Sequence, residues 1–270
     1  MCTRHMSLDI YLCGNRVETE YKFDACNNQT ASDHTVRTNQ LGSTKRNTYC
    51  NLWTCAPCRA RNAAKFLGAQ GMSLLLGEAN HGDLQDYLIA HPDIPVAQRL
   101  AWCRQITEAI EFIHGHGVIH SDLRPGNILI HESAPGGSLD LQLCDFGGAV
   151  CEELGVDGQS LPDGPFYSPV FKNKMNTLSD IFSLGSVMYT IITGRWPYRD
   201  TAERFENIDD RLAWEEDFVY PRFQREEFPD VDGLALGKVI LGCWKREFGT
   251  VQDVLRAIDE ALPEGEQASM

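Results

Sequence analysis

Between Val118 and Ile130 the chain reads VIHSDLRPGNILI. An apolar pair enters a polar turn and an apolar run leaves it, so the turn sits at the mouth of a buried strand. Within that turn Asp122 and Asn127 stand five residues apart, and His120 precedes the aspartate by two. A second turn of the same kind, LCDFGG, follows at Leu143 to Gly148 and carries Asp145. The strands NILI and LQLC that meet these turns form a hairpin, with Pro135-Gly136-Gly137 in its connection. Two acids and one carboxamide at strand ends suit one task. They can hold a hard divalent cation such as Mg²⁺ against a polyphosphate and orient an attacking hydroxyl.

On these residues the chain resembles the protein kinase superfamily. His120-Ser121-Asp122-Leu123-Arg124-Pro125-Gly126-Asn127 is similar to the catalytic loop H-R-D-L-K-P-x-N, and Asp145-Phe146-Gly147 to the metal-binding D-F-G. Small-molecule phosphotransferases of the aminoglycoside or choline type use a similar first motif and a later metal aspartate. The stretch Thr177 to Gly194, TLSDIFSLGSVMYTIITG, separates the two. Its D-x-x-S-x-G pattern at Asp180, Ser183 and Gly185, followed by GRWPY, resembles the central helix of protein kinases. There the aspartate supports the backbone of the catalytic loop, so Asp180 is expected to be structural. The resemblance implies an α+β chain with a protein-kinase-like two-lobed fold, a mainly helical C-lobe and a divergent or incomplete N-lobe. It divides the chain into a divergent, partly disordered segment 1–65, a kinase-like domain 66–262 containing hinge and C-lobe, and a tail 263–270.

The reaction so implied moves the ATP γ-phosphoryl to a Ser/Thr hydroxyl of a protein substrate. Asp122 would orient the hydroxyl and accept its proton. Asn127 and Asp145 would bind Mg²⁺. Arg124 stands where the family usually has lysine and would steady the γ-phosphate. Ser121 replaces the arginine that normally answers a phosphorylated activation loop, so loop phosphorylation is not expected to be the on-switch. Leu76 would lie beside the adenine pocket and the backbone of residues 77–79, Ala79 included, would meet the adenine edge.

Charge excludes two partner classes. Residues 1–77 carry a balance of +4, whereas residues 78–270 carry −18. The bulk is thus a poor ligand for nucleic acid or an anionic membrane. No run approaches the roughly 20 apolar residues of a membrane span. The N-terminus lacks a charged start with an apolar core, so cytosolic or nuclear residence is expected.

Residues 1–65 are rich in Asn, Thr, Arg and Cys. Ser7–Val17 and Thr19–Phe23 read as short strands around a Gly14-Asn15 turn. Gln29–Thr48 reads as a long loop or disorder. Neither a G-x-G-x-x-G loop nor a strand-three lysine with its glutamate is recognisable. Lys22, Lys45 and Lys65 are candidates only by residue type. Cys50, Cys55 and Cys58 leave two readings open, a zinc site completed by Cys26 or His34, or free thiols.

From Lys65 onward KFLGAQ and GMSLLL read as strands and GDLQDYL as a helix capped at Gly82-Asp83. Pro95–His114 reads as an amphipathic helix whose Leu100, Trp102, Cys103, Ile106, Ile110 and Ile113 face the core, ending at Gly115 and Gly117. Residues 149–163 resemble a mobile activation loop, and the hydroxyls of Ser160 and of Tyr167 beyond it are candidates for modification, although most exposed hydroxyls are not modified. GPFYSPV at Gly164–Val170 is similar to the peptide platform, but Val170 replaces a glutamate that normally pairs with a late arginine. The acidic clusters Asp209-Asp210 and Glu215–Asp217 read as solvated faces. Three readings stand: an active kinase with a divergent N-lobe, a catalytically impaired pseudokinase acting as a binding scaffold, and a truncated or misassembled chain whose first 65 residues lie outside the fold.

Overall fold

The computed structural model describes backbone and side chains for residues 78–132, 134–158, 164–171 and 175–262. Before residue 77 it describes the backbone of five strands. Three of these form one sheet in the order β2-β1-β3, from β1 (Cys2–Ile10), β2 (Arg16–Asp24) and β3 (Val36–Gln40). β1 runs antiparallel to β2 and parallel to β3, with a register shift between His5 and Met6. The first strand therefore begins before Ser7, and a strand occupies part of the stretch expected to be loop. VRTNQ carries one apolar side chain, so its pairing rests on backbone bonds, which apolar periodicity cannot report. The Gly14-Asn15 turn and Cys50, Cys55 and Cys58 lie outside the described residues. β4 (Phe66–Gln70) and β5 (Ser73–Leu76) are the two expected strands, and they pair antiparallel.

The remainder is mainly helical. α1 (Leu84–Ala90) is capped by Asp83, whose carboxylate accepts from the Asp86 N–H at 2.9 Å. α2 (Val96–His114) starts after Pro95 and buries all six predicted core residues. Trp102 also donates its indole N–H to the Leu139 carbonyl at 2.7 Å, which fixes α2 against the hairpin of β6 (Ile128–Glu132) and β7 (Leu139–Leu143). In that hairpin Ile128 faces Leu143 and Glu132 faces Leu139.

α3 (Thr177–Thr193) is the centre of the core. The expected apolar face is present, but Phe182, Ser183, Gly185, Ser186 and Thr190 are buried too. A helix buried all round must satisfy its hydroxyls internally. Thr190 Oγ1 bonds the Ser186 carbonyl at 2.8 Å, and the Trp244 indole donates to Ser186 Oγ at 2.9 Å. Gly185 permits α6 (Gly237–Trp244) to approach, since a Cβ there would lie 2.7 Å from Cys243 Cβ. An Asn176/Ser179 capping box starts α3, and Gly194 at φ 77° ends it. Between α3 and α6 lie α4 (Ile208–Trp214), a π turn (Glu215–Val219) and α5 (Tyr220–Gln224), and α7 (Val251–Ala261) closes the chain against α2.

Three expectations change here. Residues 150–157, within the segment expected to be a mobile loop, carry regular structure. β8 (Val150–Cys151) and β9 (Val156–Asp157) pair as a short ladder with Cys151 and Leu154 buried. Tyr167 is buried, packed edge-on to Tyr220, which disfavours it as a modification site, and Ser160 lies outside the described residues. Glu215 is only 2% exposed, unlike its exposed neighbours Glu216 and Asp217. It ion-pairs with Arg211 at 2.9 Å and fills the space above Gly164, where a Cβ would fall 2.4 Å from its Cγ.

Candidate active site

Helix α2 ends in a turn with Gly117 at φ 70°, and the Val118 N–H returns to the Ile113 carbonyl at 3.0 Å. The chain then enters the polar turn. Ile119 pairs with Val150 through two backbone bonds of 2.9 Å. That bridge ties the first turn to the segment beyond Asp145.

Asp180, almost fully buried near the start of α3, shapes the turn from below. Its Oδ2 accepts from the His120 N–H at 2.7 Å and from His114 Nε2 at 2.8 Å. Its Oδ1 accepts from the Ser121 N–H at 2.9 Å. Ser121 sits at φ 67°, a left-handed conformation that a non-glycine residue adopts only when held there. The expected structural role of Asp180 is thus seen in three hydrogen bonds. His120 takes a defined tautomer. Its Nδ1 accepts from the Asp122 N–H at 3.3 Å, so Nε2 carries the proton and donates to the Cys144 carbonyl at 3.0 Å. Phe146 is buried with its ring centroid 5.0 Å from that of His120, the expected plug.

Asn127 joins the two turns. Its Nδ2 donates to the Asp122 carbonyl and to Asp122 Oδ2, each at 2.8 Å, and its own carbonyl accepts from the Cys144 N–H at 3.0 Å. Asp122, Asn127 and Asp145 therefore occupy adjacent turns at one end of the β6–β7 hairpin. Because both Asn127 donor bonds go to Asp122, Oδ1 is the amide atom offered to a cation. Asp145 has φ 57°, is exposed, and accepts from the Gly147 N–H at 3.2 Å. An amide oxygen and a carboxylate are hard donors that fit Mg²⁺, which keeps several water or phosphate ligands. Among the described residues no group of three His, Cys, Asp or Glu side chains could hold a metal. Arg124 lies at the other side of Asp122, Nε to Oδ1 at 3.4 Å.

Cys144 precedes Asp145, and burial, with Asp145 and Asp83 nearby, pushes its thiol up to about 12. Ala79 is half-buried, and its carbonyl accepts from the Gly82 N–H at 3.4 Å. The next residues are strapped to β6. Asn80 bonds both the carbonyl and the N–H of Glu132, and His81 Nε2 lies 3.3 Å from Glu132 Oε2. His81 and the Gly136 N–H hold the Glu132 carboxyl below its usual range. This strap has no sequence signature beyond residue type. The platform Gly164–Phe171 is anchored through Ser183 Oγ, which donates to the Phe166 carbonyl at 2.5 Å. Val170 is 40% exposed, so no buried charge is orphaned where the family's glutamate would stand.

A cavity of about 300 Å³ opens beside the first turn, lined by Arg124, Pro125 and Gly126 on one side and Trp196, Ile208 and Arg211 on the other. Spacing along the chain does not reveal it, because its walls come from five separate segments.

Residues 61–245 match the protein kinase domain, and the chain belongs to the protein kinase family. It is similar to the serine/threonine-protein kinase PDK1 of Cryptococcus neoformans var. grubii, with 30% identity over 157 residues, 54% of this chain and 12% of that protein. It is also similar to human serine/threonine-protein kinase ULK1, with 29% identity over 168 residues, 58% of this chain and 15% of that protein. The chain thus spans well under a fifth of the length of these relatives. In fold it is similar to the Rad53 kinase domain, with a TM-score of 0.53 at 22% identity, covering 73% of this chain and 71% of that one. No described helix is long and apolar enough to cross a membrane.

Proposed function

We propose that the chain binds ATP with Mg²⁺ and transfers the γ-phosphoryl to serine or threonine hydroxyls of a protein substrate. The observation that carries this reading is the double hydrogen bond from Asn127 to Asp122. It fixes the proton-accepting carboxylate and turns Oδ1 of the same amide to the metal side. Asp122 Oδ1 then lies within reach of an incoming hydroxyl, positions it and takes its proton. Arg124, 3.4 Å from that oxygen, offers its guanidinium fork to the transferring phosphoryl. Asn127 and Asp145 would hold Mg²⁺, which when bound neutralises charge on the phosphate oxygens. The backbone at Ala79, held by the Asn80–Glu132 strap, offers hydrogen bonds to the adenine edge.

The absence of a recognisable glycine loop and lysine favours the second reading, a catalytically impaired pseudokinase acting as a binding scaffold. One experiment separates them. With ATP and Mg²⁺ the wild-type chain should show a thermal shift that Asp145→Asn loses, and phosphotransfer to a serine/threonine peptide library that Asp122→Asn loses. No shift in the wild-type protein would refute the kinase reading.

A further inference from the structure

α4 buries none of its residues. Ile208 and Leu212 are 57% and 45% exposed, two of only five large apolar side chains on the described surface. They stand at i and i+4, and Glu215 at i+7 shares their face. That face is buried at Glu215, whose carboxylate pairs with Arg211, and again at Val219 within the following turn, so a stripe runs from the core outward and its apolar end at Ile208 and Leu212 is uncovered. The exposed end is held firmly. Trp214 packs on Phe205 at 5.3 Å between centroids, and Arg199 lies 3.9 Å over the Phe205 ring. Ile208 is also a wall of the cavity beside Arg124, so the stripe continues into the site.

The charge around the stripe is one-sided. Residues 200–217 hold eight Asp and Glu against two Arg. Both arginines are engaged, Arg204 with Asp86 at 2.7 Å and Arg211 with Glu215. Asp209, Asp210 and Glu216 are left exposed beside Ile208 and Leu212.

We propose that the N-terminal half of α4 docks a basic, apolar segment of the protein substrate, its apolar side chains covering Ile208 and Leu212 and its lysines or arginines meeting the surrounding acids. Docking there delivers the neighbouring part of the substrate through the cavity to Asp122, and in this respect it rests on the kinase reading. Apolar contact supplies affinity, and the acids select against acidic partners.

The test is binding, which needs no turnover. The probe is a fluorescent 18-residue amphipathic peptide of leucine and lysine, with a leucine and glutamate counterpart, read by anisotropy on the full chain. The lysine peptide should bind, and at least tenfold more weakly to Ile208→Ser/Leu212→Ser. Asp209→Asn/Asp210→Asn should flatten the salt dependence of binding. Val96→Ser removes an exposed apolar side chain on α2 and should change nothing. The proposal is overturned if the serine variants bind as wild type, if the glutamate peptide binds equally well, or if sedimentation shows a dimer of the wild-type chain that Ile208→Ser/Leu212→Ser abolishes. Failure of peptide binding alongside intact phosphotransfer sinks docking alone. Binding without phosphotransfer or a nucleotide-dependent thermal shift sinks the kinase reading alone.

Discussion

Replacing Asp180 by Asn removes one acceptor from a buried carboxylate that has three donors around it. The amide oxygen can take the place of Oδ2 and keep the His120 N–H and His114 Nε2. Its NH₂ group then faces the Ser121 N–H, which is 2.9 Å from Oδ1 in the wild-type chain. Loss of that charge-assisted bond costs about 1.5–3 kcal/mol, and the buried Ser121 donor left without an acceptor adds about 1–3 kcal/mol. Ser121 is also held at φ 67°, a conformation that costs a non-glycine residue roughly 1–2 kcal/mol. Relaxation of that residue would return part of the loss, so the expected net destabilisation is about 3–5 kcal/mol. Urea unfolding of the wild-type and variant chains measures it. Hydrogen exchange across residues 119–123 should rise in parallel. A loss below about 1 kcal/mol with unchanged exchange would show that Asp180 does not hold the turn.

Further outcomes follow from packing and titration. Gly164→Ala puts a Cβ 2.4 Å from Glu215 Cγ and should cost roughly 1–3 kcal/mol. The double variant with Glu215→Ala should cost no more than Glu215→Ala alone, and additive costs in that cycle would refute the contact. Gly185→Ala should lower Tm by several degrees as α3 and α6 are forced apart, and an unchanged melting curve would contradict their close approach. The raised Cys144 thiol stays protonated in the folded chain at neutral pH. Its contribution to stability is complete below the ordinary thiol value of 9.0 and fades as pH climbs towards about 12. Alkylation of Cys144, mapped by mass spectrometry, should therefore remain slow at pH 9, and rapid labelling there would disprove the burial.

How much was legible depended on whether a residue's role is local. The turns of Asp122 and Asp145, the apolar face of α2 and the ends of α3 all carry their cause within a few residues. Periodicity and turn chemistry expose such causes. Asp180 was legible through its D-x-x-S-x-G setting, whose resemblance to the central helix of protein kinases implies an aspartate that supports the first turn. Glu215 was not. It lies in an acidic run that looks solvated, and only the arrival of Gly164 over its side chain buries it. β3 was missed because polar side chains hid a backbone ladder. The Asn80–Glu132 strap and the cavity beside Arg124 depend on contacts between distant segments, which spacing along the chain cannot encode.

The distance in sequence between Asp180 and its partners has a consequence for biosynthesis. The donors at His114, His120 and Ser121 precede their acceptor by 59 to 66 residues. A nascent chain emerging from the ribosome therefore displays the HSD tripeptide well before the group that bends it exists. Until that later helix has been made and seated, the tripeptide has no reason to leave ordinary extended backbone. The geometry of this turn is consequently acquired only after α3 has emerged. A chaperone that grips the product before α3 emerges would be holding a molecule with its first long helix, but without the bent turn at Ser121.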